Sequence, residues 1–145
     1  MKASIIIPTR NRRKVLERTL KYLFLQDYPQ DQYEIIVIDD GSTDGTHKMV
    51  KAQESPCRLV CLRHEERKGP AVARNRGIRE ARGEVVIFID DDIFCPPQFI
   101  REHVKYHERE ENLIVDGPAI NIGEGDFSFA DRDKRLLAFF DFFGS

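Results

Sequence analysis

Residues Glu84 to Phe94 read E-V-V-I-F-I-D-D-D-I-F. Val85 to Ile89 are all β-branched or aromatic, which predicts a strand buried on both faces, as in the interior of a parallel sheet. The run stops at three adjacent carboxylates, Asp90, Asp91 and Asp92. Like charges repel, and folding alone gives no gain from clustering them at the end of a dry strand. A divalent cation does: Mg²⁺-like ions are held by one or two protein carboxylates together with substrate phosphates. Ligands of open α/β sheets also bind outside the carboxyl ends of the strands. The triplet therefore points to a metal-bridged phosphate site, against the plainer reading of a solvated acidic turn.

Outward from that strand the chain alternates. Ala3 to Pro8 is a first short strand, followed by the basic turn Thr9 to Arg13. Val15, Leu16, Leu20, Leu23 and Phe24 then recur at helical spacing, giving an amphipathic helix to about Gln26, ended by Asp27-Tyr28-Pro29. Glu34 to Ile38 is a second buried strand, stopped by Asp39-Asp40-Gly41, with Ser42 or Thr43 the expected cap of a helix to about Gln53. Arg58 to Arg63 is a third strand. A charged loop, His64 to Gly69, leads to a helix from about Pro70 to Arg82, with Pro70 in its first turn and Gly83 as its stop. Pro96-Pro97 opens a helix to near Asn112, and Leu113 to Val115 is a further short strand. Four strand–helix alternations predict an α/β fold: a mostly parallel sheet, helices on both faces, right-handed crossovers.

Beyond Asp116 the pattern weakens. Ala119 to Ala130, with Gly123 and Gly125, reads as a hairpin or an active-site loop. Asp131 to Phe143 starts like a helix but is apolar almost all round, and such an element wants a surface to pack on. The expectation is a single domain over 1–145, truncated on its C-terminal side.

Size and composition fit this reading. The chain has 145 residues, 41% hydrophobic and 33% charged, enough for one buried core in an ordinary soluble domain. A net charge of −2 gives no global basic field for nucleic acid. The three isoleucines near the start are too short a run for a signal peptide, and no later run approaches a membrane span. The expected location is cytoplasmic, with peripheral attachment to a membrane left open. Cys57, Cys61 and Cys95 lack zinc spacing and are expected to be free thiols. His103 and His107 lie four apart on a charged helix without the glutamate of H-E-x-x-H, and are read as solvated. Arg10, Arg12, Arg13 and Lys14 are read as a solvated face that also attracts a diphosphate.

In a parallel sheet the strand ends deliver Pro8-Thr9-Arg10-Asn11, Asp39-Asp40 and Asp90-Asp91-Asp92 to one edge. Asp39 or Asp40 can accept from a base N–H or a ribose hydroxyl, while the triplet holds a cation against phosphate. Arg74, with Asn75, can reach back to base or phosphate. The plainer readings are a surface salt bridge for Arg74 and a turn with Ser42 for Asp39.

Three stretches carry a resemblance: S-I-I-I-P-T-R-N (4–11), V-I-D-D-G-S-T-D-G-T (37–46) and G-P-A-V-A-R-N-R-G-I-R-E-A-R-G-E-V-V-I-F-I-D-D-D (69–92). In this order and spacing they closely resemble the nucleotide-binding half of the inverting family-2 glycosyltransferases, of GT-A (Rossmann-like) fold, over about Ala3 to Ile93. The resemblance implies a UDP-sugar donor, with GDP- or dTDP-sugar as alternatives, and Mn²⁺ or Mg²⁺ as cofactor. It implies that Pro8 and Thr9 lie beside the base, followed by Arg10 and Asn11. Asp39 and Asp40 would bond base and ribose, and Arg74 would line the nucleotide pocket. Asp90, nearer the ribose, and Asp92, on the metal, would form the Asp-x-Asp pair around Asp91. An inverting transferase also needs a general base. The family's base and its aromatic and basic motif lie downstream, where Asp126, Asp131 and Asp133 have no matching context, so none is named. A non-catalytic nucleotide-binding module is the alternative. An aspartyl-nucleophile phosphatase is a weaker one, because its Asp-x-Asp follows the first strand.

Overall fold

The computed structural model describes residues 1–110 and 112–115. Strands and helices alternate as β1 (Ala3–Thr9), α1 (Arg13–Phe24), β2 (Tyr33–Asp40), α2 (Thr46–Lys51), β3 (Arg58–His64), α3 (Pro70–Glu80), β4 (Val85–Phe88) and α4 (Phe99–Arg109). The strands are all parallel, in the order β3-β2-β1-β4. The chain winds outward from β1 to β3, and α3 then returns it to the far side of β1. The order therefore reverses between β1 and β4, the place where open α/β sheets take ligands.

Side-chain alternation along the strands builds two cores. Ala3, Ile5, Ile7, Ile35, Val37 and Ile87 face Leu16, Leu20 and Leu23 of α1, Met49 and Val50 of α2, and Ile100 and Val104 of α4. Ile6, Ile36 and Ile38 face the other way, onto Ala73 of α3. Each α1 leucine is fully buried, which stabilises by about 1.5–3 kcal/mol per side chain. Helices cover both faces, as the alternation implied.

Four local expectations need correction. Phe88 is 47% exposed, so the Val85–Ile89 run is not buried on both faces; α3 lies over β1 and β2, leaving the outer end of β4 open. Ser42 and Thr43 do not cap α2, which starts later at Thr46 behind a left-handed Gly45 (φ 84°). His64 ends β3 and is buried, rather than opening a charged loop. Leu113–Val115 forms no strand, and Ile114 is 93% exposed. The elements expected over 119–143, and Asp126, Asp131 and Asp133, lie outside the described residues. The thiols are free, with Cys95 buried and Cys57 and Cys61 half-buried; burial pushes Cys61 up to about 11.

At the amino ends of the strands sits a buried carboxylate, Glu34. It accepts from Ser4 Oγ (2.5 Å) and from the Arg82 N–H (2.7 Å), and it pairs with Arg58, which also reaches Glu80 at 2.9 Å. Burial alone would raise the carboxyl, but the hydrogen bonds from Ser4, Arg82 and Arg58 outweigh it and hold it below the ordinary 4.5. A depressed carboxyl stabilises the fold above its unfolded value, and that contribution fades as pH falls through the folded one. Glu34→Gln is therefore expected to cost about 3–5 kcal/mol at neutral pH, the usual penalty for breaking a buried pair. The difference from wild type should shrink in acid. Urea denaturation at pH 7 and pH 3 checks both; an equal loss at the two pH values would contradict the linkage.

Candidate functional site

The carboxyl ends of β1, β2 and β4 bring the sequence-selected residues to one edge. Thr9 ends β1 in register with Asp39 of β2. Next to it, the loop after β4 folds back under β1. Thr9 Oγ1 donates to Asp91 Oδ2 (2.7 Å), and Thr19 Oγ1 of α1 donates to the Asp91 carbonyl (2.7 Å).

The three adjacent aspartates divide. Asp91 turns inward and is 5% exposed; burial raises its carboxyl, with Thr9 and Arg12 pulling the other way. The Asp90 and Asp92 side chains turn outward, 66% and 47% exposed. Arg74 reaches Asp90 Oδ1 (3.1 Å), while Arg12 reaches Asp91 Oδ1 (3.2 Å) and Asp92 Oδ2 (3.0 Å).

The β2 pair divides too, because adjacent strand residues face opposite sides. Asp40 points to the α3 face, where His64 Nδ1 donates to Oδ1 and the Lys68 and Gly69 N–H groups donate to Oδ1 and Oδ2, each at 2.8 Å. Burial opposes ionisation there, but these donors hold the Asp40 carboxyl below its usual range. Gly41 makes room for the same loop: its φ is +76°, and a Cβ on it would sit 3.0 Å from the Arg67 nitrogen. Asp39 points to the α1 and α2 face and is completely buried. The Ser42 N–H donates to its Oδ1 (2.9 Å). Among the described residues its Oδ2 has no hydrogen-bond partner, and Arg63 Nε stands off at 3.8 Å.

The remaining basic-turn residues frame the edge. Arg10 is exposed and Pro8 half-buried. Asn11 adopts a left-handed conformation (φ 52°), its N–H donating to Ser42 Oγ (2.9 Å) and its Oδ1 accepting from the Thr43 N–H (2.8 Å). The hydroxyl of Ser42 thus braces two loops instead of starting a helix. Both plainer readings are realised in part, Arg74 in an ion pair and Asp39 in a turn with Ser42, yet one Asp39 oxygen stays unsatisfied.

Sequence reasoning set Arg12 in a basic face that attracts a diphosphate but not against Asp91 and Asp92, and it missed His64 as a member of this edge. His64 had a signal: β3 ends in Arg63-His64 in register with Asp39-Asp40, so neighbouring parallel strands that stop together set a base beside each acid. For a metal, no three His, Cys, Asp or Glu side chains gather among the described residues. Two outward carboxylates, Asp90 and Asp92, are nevertheless what a Mg²⁺- or Mn²⁺-like ion asks of a protein when a diphosphate completes its shell. The donor set fits.

A doubly wound parallel sheet with acids gathered at its switch point defines the nucleotide-binding α/β class, here the GT-A fold. The sequence pattern of glycosyl transferase family 2 matches residues 4–144, and the chain belongs to that family. It is 40% identical over 117 residues, 81% of this chain and 30% of the relative, to the uncharacterized glycosyltransferase YfnE of Bacillus subtilis. The crystal structure of residues 1–349 of Staphylococcus aureus TarS in complex with UDP-GlcNAc superposes with a TM-score of 0.70 at 32% identity, covering 75% of this chain and 32% of that one. The Pyrobaculum calidifontis mannosyltransferase PcManGT in complex with GDP-Man and Mn²⁺ superposes with a TM-score of 0.70 at 34% identity, over 73% and 32%. The chain thus spans about a third of the length of each of these three. Among the described residues no helix is long and apolar enough to cross a membrane.

Proposed function

We propose that this chain is the donor-binding part of an inverting, metal-assisted glycosyltransferase that moves a sugar from a nucleoside diphosphate to an acceptor hydroxyl. The observation that carries the reading is Asp39 Oδ2, a buried carboxyl oxygen without a hydrogen-bond partner among the described residues. Such an oxygen is costly unless a donor satisfies it, and a ligand N–H is that donor once the half-exposed Arg63 side chain swings aside. One free oxygen matches the single imide N–H of uracil or thymine. Guanine offers two adjacent donors that ask for a whole carboxylate. The reading therefore favours a UDP-sugar, in keeping with the UDP-GlcNAc bound to TarS, over the GDP-Man of PcManGT.

Pro8 and Thr9 flank the base, with Arg10 and Asn11 at the rim, and Arg74 turns its guanidinium to the nucleotide. Asp40 and Asp91 act from behind, Asp40 holding the loop before α3 and Asp91 holding Thr9. Asp90 lies nearer the ribose, and Asp90 and Asp92 hold the metal. When bound, that ion neutralises charge on the departing diphosphate and templates its geometry. Attack from the opposite face of the sugar gives inversion; no general base is assigned.

Asp92→Ala is expected to remove the Mn²⁺-dependent part of UDP binding, a loss of at least about tenfold given that even outer-shell partners of a metal are worth 10–100-fold. The fold should survive, since the Asp92 side chain is half-exposed. Calorimetric titration of UDP with and without Mn²⁺ measures it, and an unchanged Mn²⁺ effect would remove the metal from the proposal.

A further inference from the structure

Beyond lying in the basic face expected to attract a diphosphate, Arg12 has no role in the donor site as assigned so far. Its half-exposed guanidinium forks between two carboxylates, Nη1 at 3.2 Å from Asp91 Oδ1 and Nη2 at 3.0 Å from Asp92 Oδ2. From the other side Arg74 covers Asp90. Three consecutive acids next to a dry strand repel one another, and here the chain supplies counter-charge from its own side chains. The same pairing sets a conflict. Asp92, which Arg12 engages through Oδ2, is also one of the two carboxylates assigned to the metal, and a guanidinium and a divalent ion on one carboxylate repel one another.

We infer that Arg12 is a resident counter-ion that is exchanged when donor binds: it leaves Asp92 as the metal arrives and closes on the diphosphate, so that metal and diphosphate bind cooperatively. The inference rests on the donor site proposed above. Arg12 immediately precedes α1, so its side chain can swing while the helix stays fixed on the sheet. The planar fork that spans two carboxylates also suits two phosphate oxygens. For the metal alone, displacing Arg12 strands a cation with no new partner. With diphosphate present the displaced cation gains one, and by reciprocity each ligand tightens the other.

Free Mn²⁺, followed by its electron paramagnetic resonance signal in titrations of the chain with and without UDP, tests this directly. In the wild type, UDP should tighten Mn²⁺ binding by a factor in the range of about 5–150. In Arg12→Gln, Mn²⁺ alone should bind about tenfold more tightly, and the UDP-induced gain should shrink by about the same factor. Arg12→Lys keeps a charge but cannot span both carboxylates, and should shift both quantities in the same directions by less. If the Gln variant does not fold, wild-type values for the Lys variant overturn the inference. Unchanged or weaker Mn²⁺ binding by a folded Gln variant overturns it as well, as does an undiminished effect of UDP. A wild type that binds neither Mn²⁺ nor UDP defeats the donor-site reading itself; a wild type that binds both, with coupling intact in Arg12→Gln, defeats only the role of Arg12.

Discussion

Asp39→Ala should weaken UDP binding about 100-fold while changing pyrophosphate binding by no more than about threefold, because a hydrogen bond to a charged group contributes roughly 1.5–3 kcal/mol. The split follows from where the carboxylate sits. Asp39 lies at the end of β2, with one oxygen on the Ser42 N–H and the other unpartnered, whereas Asp90 and Asp92 follow β4 on the far side of β1. On the proposed reading a ligand without a base does not meet Asp39. Asp39→Asn sharpens the test: the amide retains an acceptor for Ser42 but turns a donor toward the base N–H, so its UDP affinity should fall as far as that of the Ala variant. Calorimetry with the two ligands measures both. Equal losses for UDP and pyrophosphate would mean that Asp39 only braces the loop after β2.

Gly83→Val should destroy the fold rather than the site. A Cβ on Gly83 would lie 2.5 Å from the Ala3 carbonyl carbon and the Ser4 nitrogen, and 2.8 Å from Ser4 Oγ. β1 cannot retreat, since it is hydrogen-bonded to β2 on one side and β4 on the other. Nor can Gly83 move outward freely, because its N–H donates to Ser4 Oγ (2.8 Å), the hydroxyl that also serves Glu34. Overpacking in tight sites costs about 1–3 kcal/mol; here the clash is with main chain, so a loss at or above the top of that range is expected. Against a typical total of about 5–15 kcal/mol, that leaves little folded protein under mild denaturant. A urea melt settles it, and wild-type stability would mean that the turn at Gly83 can draw away from β1 at little cost.

The expectation for Gly83 was only half right, and the reason is physical. A glycine after a helix signals a stop, but α3 ends in an extended Ala81, and Gly83 is required by a neighbour 79 positions away in sequence. Contacts of that kind leave no local trace. The strands were legible because apolar runs such as Ile5 to Ile7 and Ile35 to Ile38 end abruptly in polar residues, and because four alternations admit few topologies. Edge position was not: the apolar run of β4 looks fully buried, yet among the described residues β4 is last in the strand order, with Phe88 uncovered. In the site, the residues of interest could be read from the strand ends, but not their division of labour. Asp39 and Asp40 look equivalent on paper, yet pleating sends one toward α1 and α2 and the other to the loop before α3. The same holds for Asp91 between its outward neighbours. Ser42 and Thr43 misled because hydroxyls before a helix usually cap it, whereas here they serve the turn after β1.

That bracing has a practical outcome. The Asn11 N–H donates to Ser42 Oγ, the Thr43 N–H to Asn11 Oδ1, and the Arg13 N–H to Asp44 Oδ2 (3.0 Å). The turns at 9–13 and 41–46 are therefore clasped into one lip and behave as a single mechanical part. Chimeras that exchange either turn alone with a homologue would break the clasp, so grafts intended to alter ligand choice have to carry both segments together.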